Sequence, residues 1–471
     1  MAIVALIGRP NVGKSSIFNR LVGRREAIVD DVPGVTRDRL YAEIEYRGRK
    51  FYVVDTGGIL PGGGLPFAEQ VEKQVRQAVE ESDVLVLVLD GKDGLIEADR
   101  AVAELLRRSR KPVLVAVNKI DEERYEDRIY EAYTLGFEEV FPVSAVHDRG
   151  VGDLADVILD FLPPETEEEP LAGEIRATLV GRPNVGKSSL FNALIGEERS
   201  VVSDVPGTTR DAIDSVVEIA GRRFRFVDTA GLRRKSRVDS SVEFYSTVRA
   251  AQAIDRGDVA LVLMDGSELL TEQDKRLVGH VMERGKGLLL VVNKWDLVPR
   301  EPKIGDILTG RLRDELPLMA HAPIAFVSAL TGRGVPKIPE LLASVEANRR
   351  RRLPEADMRK LLEDVLPFER MPVSPRGRVL RIDGCVQQWG LPPAFLFFVN
   401  DPEIPENSFV HRLENLIRTL GDFSGTPIRI FFRRTGEKGH GTPRMLDPTH
   451  SDEHNVGSSV GGTGRRPIQR R

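Results

Sequence analysis

The nine residues GRPNVGKSS stand at positions 8–16 and return unchanged at 181–189. An offset of 173 residues is longer than a solenoid repeat and long enough for a domain with its own core, so whatever one copy builds the chain builds twice. Other strings keep the order. VPGVTRD at 32–38 returns as VPGTTRD at 205–211, and VDTGG at 54–58 as VDTAG at 227–231. VNKID at 117–121 returns as VNKWD at 292–296, and VSA at 143–145 as VSA at 327–329. The offset drifts along the chain, as it does when insertions collect in surface connections of a duplicated domain.

Within each copy, short β-branched runs such as AIVALI, VLVLVL and PVLVAVN alternate with segments of helical period such as residues 98–108. Strands alternating with helices predict an α/β fold whose mostly parallel sheet is covered on both faces. Ligands of such sheets sit at the carboxyl ends of the strands, where every repeated string falls. Between the copies PPETEEEPLAG has nothing to bury and reads as an extended, solvated linker. After RRRR at 349–352 the pattern changes: FLFFVN and PIRIFFR read as strands, and Phe409, Leu413, Leu416, Ile417 and Leu420 mark one helix face. This is a small α+β domain. From Gly436 onward large apolar residues nearly vanish and a disordered basic tail is expected. The expected organisation is therefore 1–162, an acidic linker at 163–174, 175–348, a small domain at 349–435 and a tail at 436–471.

Charge is unevenly spread. Residues 1–348 carry 47 Lys and Arg against 57 Asp and Glu, whereas residues 349–471 carry 21 against 15, so the last third is the better match for a nucleic acid. The one cysteine, Cys385, has no internal partner, which fits a reducing compartment such as the cytoplasm. The opening MAIVALIG has no basic leader and reads as a first strand, and the longest apolar runs are far shorter than the ~20 residues that span a bilayer. No membrane insertion is expected.

GRPNVGKS fits G-x-x-x-x-G-K-S between a strand and a helix. There Gly8, Gly13, Gly181 and Gly186 let backbone N–H groups close around phosphates, Lys14 and Lys187 reach the β/γ oxygens, and Ser15 and Ser188 ligate Mg²⁺, with Ser16 and Ser189 following. NKID and NKWD choose the base. A carboxylate at Asp121 or Asp296 accepts from the N1–H and the N2 amine of guanine, whereas adenine would leave it unpaired at a cost of several kcal/mol in order of magnitude. Asn118 and Asn293 would tie this loop to the phosphate loop, and Lys119 and Lys294 would lie along the base, with Ser144, Ala145, Ser328 and Ala329 of the VSA strings beside it. Asp55 and Asp228 would hold Mg²⁺ through water, Gly58 and Gly231 would give an N–H to the γ-phosphate, and Thr36 and Thr209 would add a second Mg²⁺ ligand. Lys14, Thr36, Asp55 and Gly58, with Lys187, Thr209, Asp228 and Gly231, are thus the catalytic candidates. A turn hydroxyl is the other reading of the threonines.

These five strings in this order resemble the translation-factor class of P-loop GTPases. Two such domains followed by a small basic α+β domain are similar to the Der (EngA) family of bacterial ribosome-assembly GTPases, over residues 1 to about 434. The resemblance implies a KH-like third domain and GTP hydrolysis to GDP coupled to maturation of the large ribosomal subunit, with that subunit and its RNA as partners. DNA is not an expected partner, and a cytoplasmic monomer is expected. Where many GTPases place a water-orienting glutamine after DxxG, this chain has Ile59 and Leu232. The resemblance implies K⁺ in its stead, held by Asn11 and Asn184; simple turn formation is the other reading of these asparagines.

The copies differ after DxxG. The second continues LRRKSR, the first ILPGGG; a basic switch loop touching RNA phosphates in one nucleotide state and a merely solvated charge run are both open readings. The G-x-x-G at 436–439 lies beyond the last expected strand and is read as chance. RNA contact there would rest on Arg376, Arg378, Arg381, Arg433 and Arg434, with Arg465, Arg466, Arg470 and Arg471 in the tail; the alternative is a docking surface for the second G domain. The competing function is a regulatory GTP-binding switch on another RNA or protein, with one hydrolytically silent copy.

Overall fold

A computed structural model describes residues 1–23, 41–56, 75–121, 127–164, 173–196, 201–206, 213–229, 240–299, 301–366, 369–436 and 444–446. They form two compact units, Met1–Arg351 with Phe423–Pro427, and Arg352–Asp422 with Ile428–Arg471. Each unit has its own sheet system.

The first sheet comprises β1 (Ala2–Ile7), β2 (Tyr41–Tyr46), β3 (Arg49–Asp55), β4 (Val84–Asp90), β5 (Val113–Asn118) and β6 (Val140–Pro142), in the order β2-β3-β1-β4-β5-β6. All neighbours are parallel except β2 and β3. Helices α1 (Lys14–Val22), α2 (Glu97–Arg108), α3 (Asp127–Tyr133) and α4 (Val151–Phe161) follow β1, β4, β5 and β6. Alternation sorts β1 between two cores: Ile3, Ala5 and Ile7 pack with Leu106 of α2 on one face, Val4 and Leu6 with Ile17 of α1 and Leu154 of α4 on the other. Coverage on both faces explains why β4, VLVLVLD, is buried at every residue and carries no polar alternation.

The second sheet repeats this plan with β7 (Ile175–Gly181), β8 (Val201–Pro206), β9 (Ile213–Ile219), β10 (Arg222–Val227), β11 (Val259–Asp265), β12 (Gly287–Asn293) and β13 (Ile324–Phe326). The order is β13-β12-β11-β7-β10-β9-β8, antiparallel only at β10-β9 and β9-β8. Its helices are α5 (Lys187–Ile195), α6 (Ser240–Arg256), α7 (Glu272–Glu283), α8 (Ile304–Glu315) and α9 (Ile338–Arg349). Both sheets share one unit, and Val248 and Ala251 of α6 are buried in the core of the first sheet.

In the second unit β14 (Ile382–Gln388), β15 (Ala394–Val399), β16 (Arg429–Arg434) and β17 (Arg444–Leu446) form one sheet in that order, with β15 and β16 parallel. Helix α10 (Glu355–Lys360) precedes it, and α11 (Asn407–Leu420) packs through Phe409, Val410, Leu413 and Ile417, leaving Leu416 and Leu420 half-buried. The tail reading is corrected at β17, which pairs with Ile430–Phe432 of β16. Composition misses such a strand because the unpaired edge that recruits it belongs to β16 and not to its own residues. The G-x-x-G therefore begins in the β16–β17 connection rather than beyond the last strand. Residues 447–471 and most of the acidic linker lie outside the described residues.

Candidate nucleotide sites

In each copy the phosphate-loop string joins the central parallel strand to a helix that opens on the lysine. Gly13 and Gly186 cap α1 and α5 with φ of 94° and 96°, and Asn11 and Asn184 are left-handed at 67° and 62°. The Asn11 and Asn184 side chains are exposed. A β-carbon on Gly8 would lie 2.4 Å from the Val88 carbonyl oxygen, and one on Gly181 2.5 Å from that of Leu263, so both positions need glycine for close strand approach.

The lysines fold back over the loop. Lys14 Nζ donates to the carbonyls of Gly8 at 2.6 Å and Arg9 at 2.8 Å, and Lys187 Nζ to those of Gly181 at 2.7 Å and Arg182 at 2.8 Å. Burial lowers the pKa of both ammonium groups: Asp55 partly offsets this at Lys14, whereas Lys187 falls to about 8. A desolvated ammonium at a helix N-terminus is a strong attractor for an anion.

The loops at the base end are built in duplicate. Asn118 Nδ2 donates to the Val12 carbonyl at 2.9 Å while its Oδ1 accepts from Ala145 N at 3.1 Å. Asn293 does the same with Val185 at 2.8 Å and Ala329 at 3.0 Å. One side chain thus ties the phosphate loop to the VSA loop. Ser144 Oγ donates to Asp121 at 2.7 Å and Ser328 Oγ to Asp296 at 2.5 Å. The Lys92 ammonium, 2.6 Å away, and then the Ser144 hydroxyl hold the Asp121 carboxyl below its usual range.

Residues missed by sequence reasoning complete these loops. Lys119 Nζ donates to Asp90 at 2.5 Å and to the Asn11 carbonyl at 2.8 Å, and Lys294 to Asp265 at 2.6 Å. Burial would raise both carboxyls, but hydrogen bonds, led by those from the lysines, hold them low. A signal existed: an Asp-Gly pair closes β4 and β11 at equivalent places, 90–91 and 265–266.

At the metal end the copies diverge. Ser15 Oγ donates to Asp55 Oδ2 at 2.5 Å, bringing together the hydroxyl and the carboxylate that would share Mg²⁺. In the second copy Asp228 is left-handed at φ 55° and its N–H donates to Asp214 at 3.2 Å, while Arg256 pairs with Asp214 at 2.9 Å. Thr36, Gly58, Thr209 and Gly231, together with Ile59, Leu232 and the LRRKSR loop, lie outside the described residues. In the second unit Arg376, Arg378, Arg381 and Arg434 are exposed, and acidic neighbours accompany three of them: Asp401 lies 3.9 Å from Arg378 and 3.5 Å from Arg434, and Asp383 2.8 Å from Arg381.

Comparisons agree with this architecture. A family model described as a 50S ribosome-binding GTPase matches residues 3–119 and again 176–294. A second, described as the KH-domain-like C-terminal domain of EngA bacterial GTPase enzymes, matches 352–433. GTPase Der of Desulforudis audaxviator is 47% identical over 436 residues, 93% of this chain and 99% of its own. The GTPase Der of Heliobacterium modesticaldum is 46% identical over 92% of this chain and 98% of its own, and that of Symbiobacterium thermophilum 47% over 93% of each.

Proposed function

The chain belongs to the Der (EngA) family of GTPases, with two G domains and a KH-like domain; it is a GTP-binding and GTP-hydrolysing switch, and we propose that it acts in assembly of the large ribosomal subunit. The observation that carries the two-site reading is the twice-built asparagine clamp: Asn118 and Asn293 each hold a phosphate loop and a base loop at once. Phosphate and guanine ends are thereby fixed relative to each other before nucleotide arrives.

In this reading Lys14 and Lys187 exchange their carbonyl partners for β/γ-phosphate oxygens, and the backbone N–H groups of the phosphate loop and helix N-terminus cradle the rest. Asp121 and Asp296, kept in place by Ser144 and Ser328, accept from guanine. The residues fit Mg²⁺: Ser15 and Asp55 converge on one point in the first copy, Ser188 and Asp228 are their counterparts, and Thr36 and Thr209 would complete the sets. Bound there, Mg²⁺ offsets the charge of the β- and γ-phosphates. The left-handed backbone of Asn11 and Asn184 suits a turn, and their exposed amides suit K⁺, which would supply the same electrostatic service as an arginine finger. GTP turnover faster in K⁺ than in Na⁺ is the expected outcome; equal rates in both salts remove the ion.

The ribosomal part of the reading is supported by the match to a family of 50S ribosome-binding GTPases and by the excess of basic residues after position 348. Domain limits of 1–162, 175–348 and 349–435, with β17 appended, go with it. Among the described residues no helix is long and apolar enough to cross a membrane; a cytoplasmic monomer that works on the subunit's RNA completes the proposal. Co-sedimentation with large subunits under a non-hydrolysable GTP analogue, GDP and no nucleotide, at two salt concentrations, tests it. Binding is expected to depend on the nucleotide and to weaken with salt; indifference to all three conditions would remove the switch.

A further inference from the structure

The stretch from the phosphate loop through the first helix is nearly identical in the two copies. GRPNVGKSSIFNRLVG at 8–23 and GRPNVGKSSLFNALIG at 181–196 differ at three places. Ile17 against Leu190 and Val22 against Ile195 exchange apolar groups, and Ile17 and Leu190 are both buried. Arg20 against Ala193 exchanges a guanidinium for a methyl group.

Arg20 uses that guanidinium on the base loop. Its Nε donates to the Ala145 carbonyl and its Nη2 to the Val146 carbonyl, each at 2.7 Å, across a cavity lined by Ser16, Asn19, Arg20, Ala145 and Val146. Other bonds of the loop recur in both copies, whereas Lys92 on Asp121 at 2.6 Å and Arg149 Nη1 on the Asp121 carbonyl at 3.4 Å belong to the first alone among the described residues. Ala145 N donates to Asn118 as Ala329 N does to Asn293, Ser144 donates to Asp121 as Ser328 does to Asp296, and His147 N reaches Ser144 Oγ at 3.3 Å as Thr331 N reaches Ser328 Oγ at 3.2 Å. The Ala193 side chain has no atom that can donate to the carbonyls of Ala329 and Leu330. Leu330 is 85% exposed, against 66% for Val146.

We infer that Arg20 is a positioning residue of the first nucleotide site: it ties the helix that leaves the phosphate loop to the loop that closes over guanine, so the first site releases nucleotide more slowly than the second. The inference rests on reading Ser144 and Ala145 as part of the base loop. Guanine leaves when that loop lifts, and at the first site lifting must also break two hydrogen bonds from a charged donor. Such bonds are discounted by the solvent around an exposed guanidinium, which leaves about a tenfold effect on the release rate. Both Arg20 bonds go to the base loop and neither to the phosphate loop, so it acts on release more than on capture.

Full-length chain with Lys187→Ala isolates the first site and Lys14→Ala the second; release of a fluorescent GDP analogue is followed after a chase with excess GDP. Slower release from the first site is expected. Arg20→Ala should speed it about tenfold with the association rate little changed, and Ala193→Arg should slow the second site severalfold. Arg20→Lys should recover only part of the loss, because one ammonium does not reproduce the planar fork on two carbonyls. If each isolated site holds one GDP yet release ignores residues 20 and 193, Arg20 has no positioning role and the two-site reading survives. If either isolated form holds no nucleotide, the site assignment fails and the inference falls with it.

Discussion

The Tyr52 hydroxyl donates to Asp255 Oδ2 at 3.0 Å, joining strand β3 of the first G domain to the end of helix α6 in the second. Arg284 Nε lies 3.1 Å from the other Asp255 oxygen and its guanidinium also pairs with Glu43, while Lys286 donates to the Asp255 carbonyl at 2.7 Å. Burial pushes the Asp255 carboxyl up to about 6, although the Tyr52 hydroxyl, Lys286, the N-terminal amine and Lys50 pull it down. A carboxyl whose folded value lies above its unfolded one favours folding fully below about pH 4, and that contribution is lost as pH rises through about 6. Replacing Asp255 by Asn removes the titration. Across pH 4 to 7, the stability of Asp255→Asn relative to the natural chain should therefore improve, by about 2–3 kcal/mol at most. Thermal melts over that range check it, and a gap that does not move with pH contradicts the buried titration.

Gly13 and Gly186 are the positions where an added methyl group would strike the asparagine clamp itself. A β-carbon would stand 2.2 Å from Asn118 Nδ2 at Gly13 and 2.3 Å from Asn293 Nδ2 at Gly186, on backbone that is already left-handed. The asparagine must swing away, and one movement then loosens the phosphate loop and the base loop together. Gly13→Ala should weaken nucleotide at the first site by about a hundredfold or more and destabilise the chain by about 1–3 kcal/mol. Calorimetric titration should then count one tight GDP where the natural chain takes two. Two tight sites in Gly13→Ala would dissociate the clamp from binding.

The readable parts of this molecule are those written locally. β4 and β11 are unbroken apolar runs ending in Asp-Gly, and the phosphate loop needs nine adjacent residues whose glycines and lysine act on their own neighbourhood. Duplication turned each such string into its own control. What stayed hidden depends on pairs far apart in sequence. Arg20 meets Ala145 across 125 positions and Tyr52 meets Asp255 across 203, and no local periodicity marks either pair. β17 was hidden for a related reason, since three residues in a polar stretch become a strand only because β16 offers them an open edge.

Guanine selectivity should fail site by site. Lys92 and Ser144 keep the Asp121 carboxyl ionised and aimed, so it can accept from N1–H and the N2 amine together. In Asp121→Asn the new amide nitrogen would face the guanine amine donor to donor, with a loss of about a hundredfold in GDP affinity at the first site. Xanthine carries an oxygen at C2, which that amide can satisfy. Competition binding with GDP and xanthosine diphosphate should therefore show one site switching preference while the second, governed by Asp296, keeps guanine. Unchanged GDP binding would show that Asp121 does not read the base.

Lys187 supplies a proton count. Burial lowers its pKa to about 8, so at pH 8.5 about three-quarters of the nucleotide-free chains hold it as the neutral amine. The ammonium is disfavoured in the folded chain below about pH 8, and that penalty disappears as pH rises toward its ordinary value near 10.5. Phosphate oxygens restore the charged form, hence binding at the second site must take up a proton, and its affinity should fall with rising pH above 8, approaching tenfold per unit. Calorimetry at pH 8.5 in two buffers of different ionisation enthalpy, on Lys14→Ala so that only the second site fills, should give an uptake of roughly three-quarters of a proton per nucleotide. Lys187→Arg stays charged throughout and should take up none. No uptake by the lysine form would mean that this ammonium is already charged in the free protein or never meets the phosphates, and binding by Lys187→Ala would separate the two, since only a lysine remote from the ligand leaves affinity intact when it is removed.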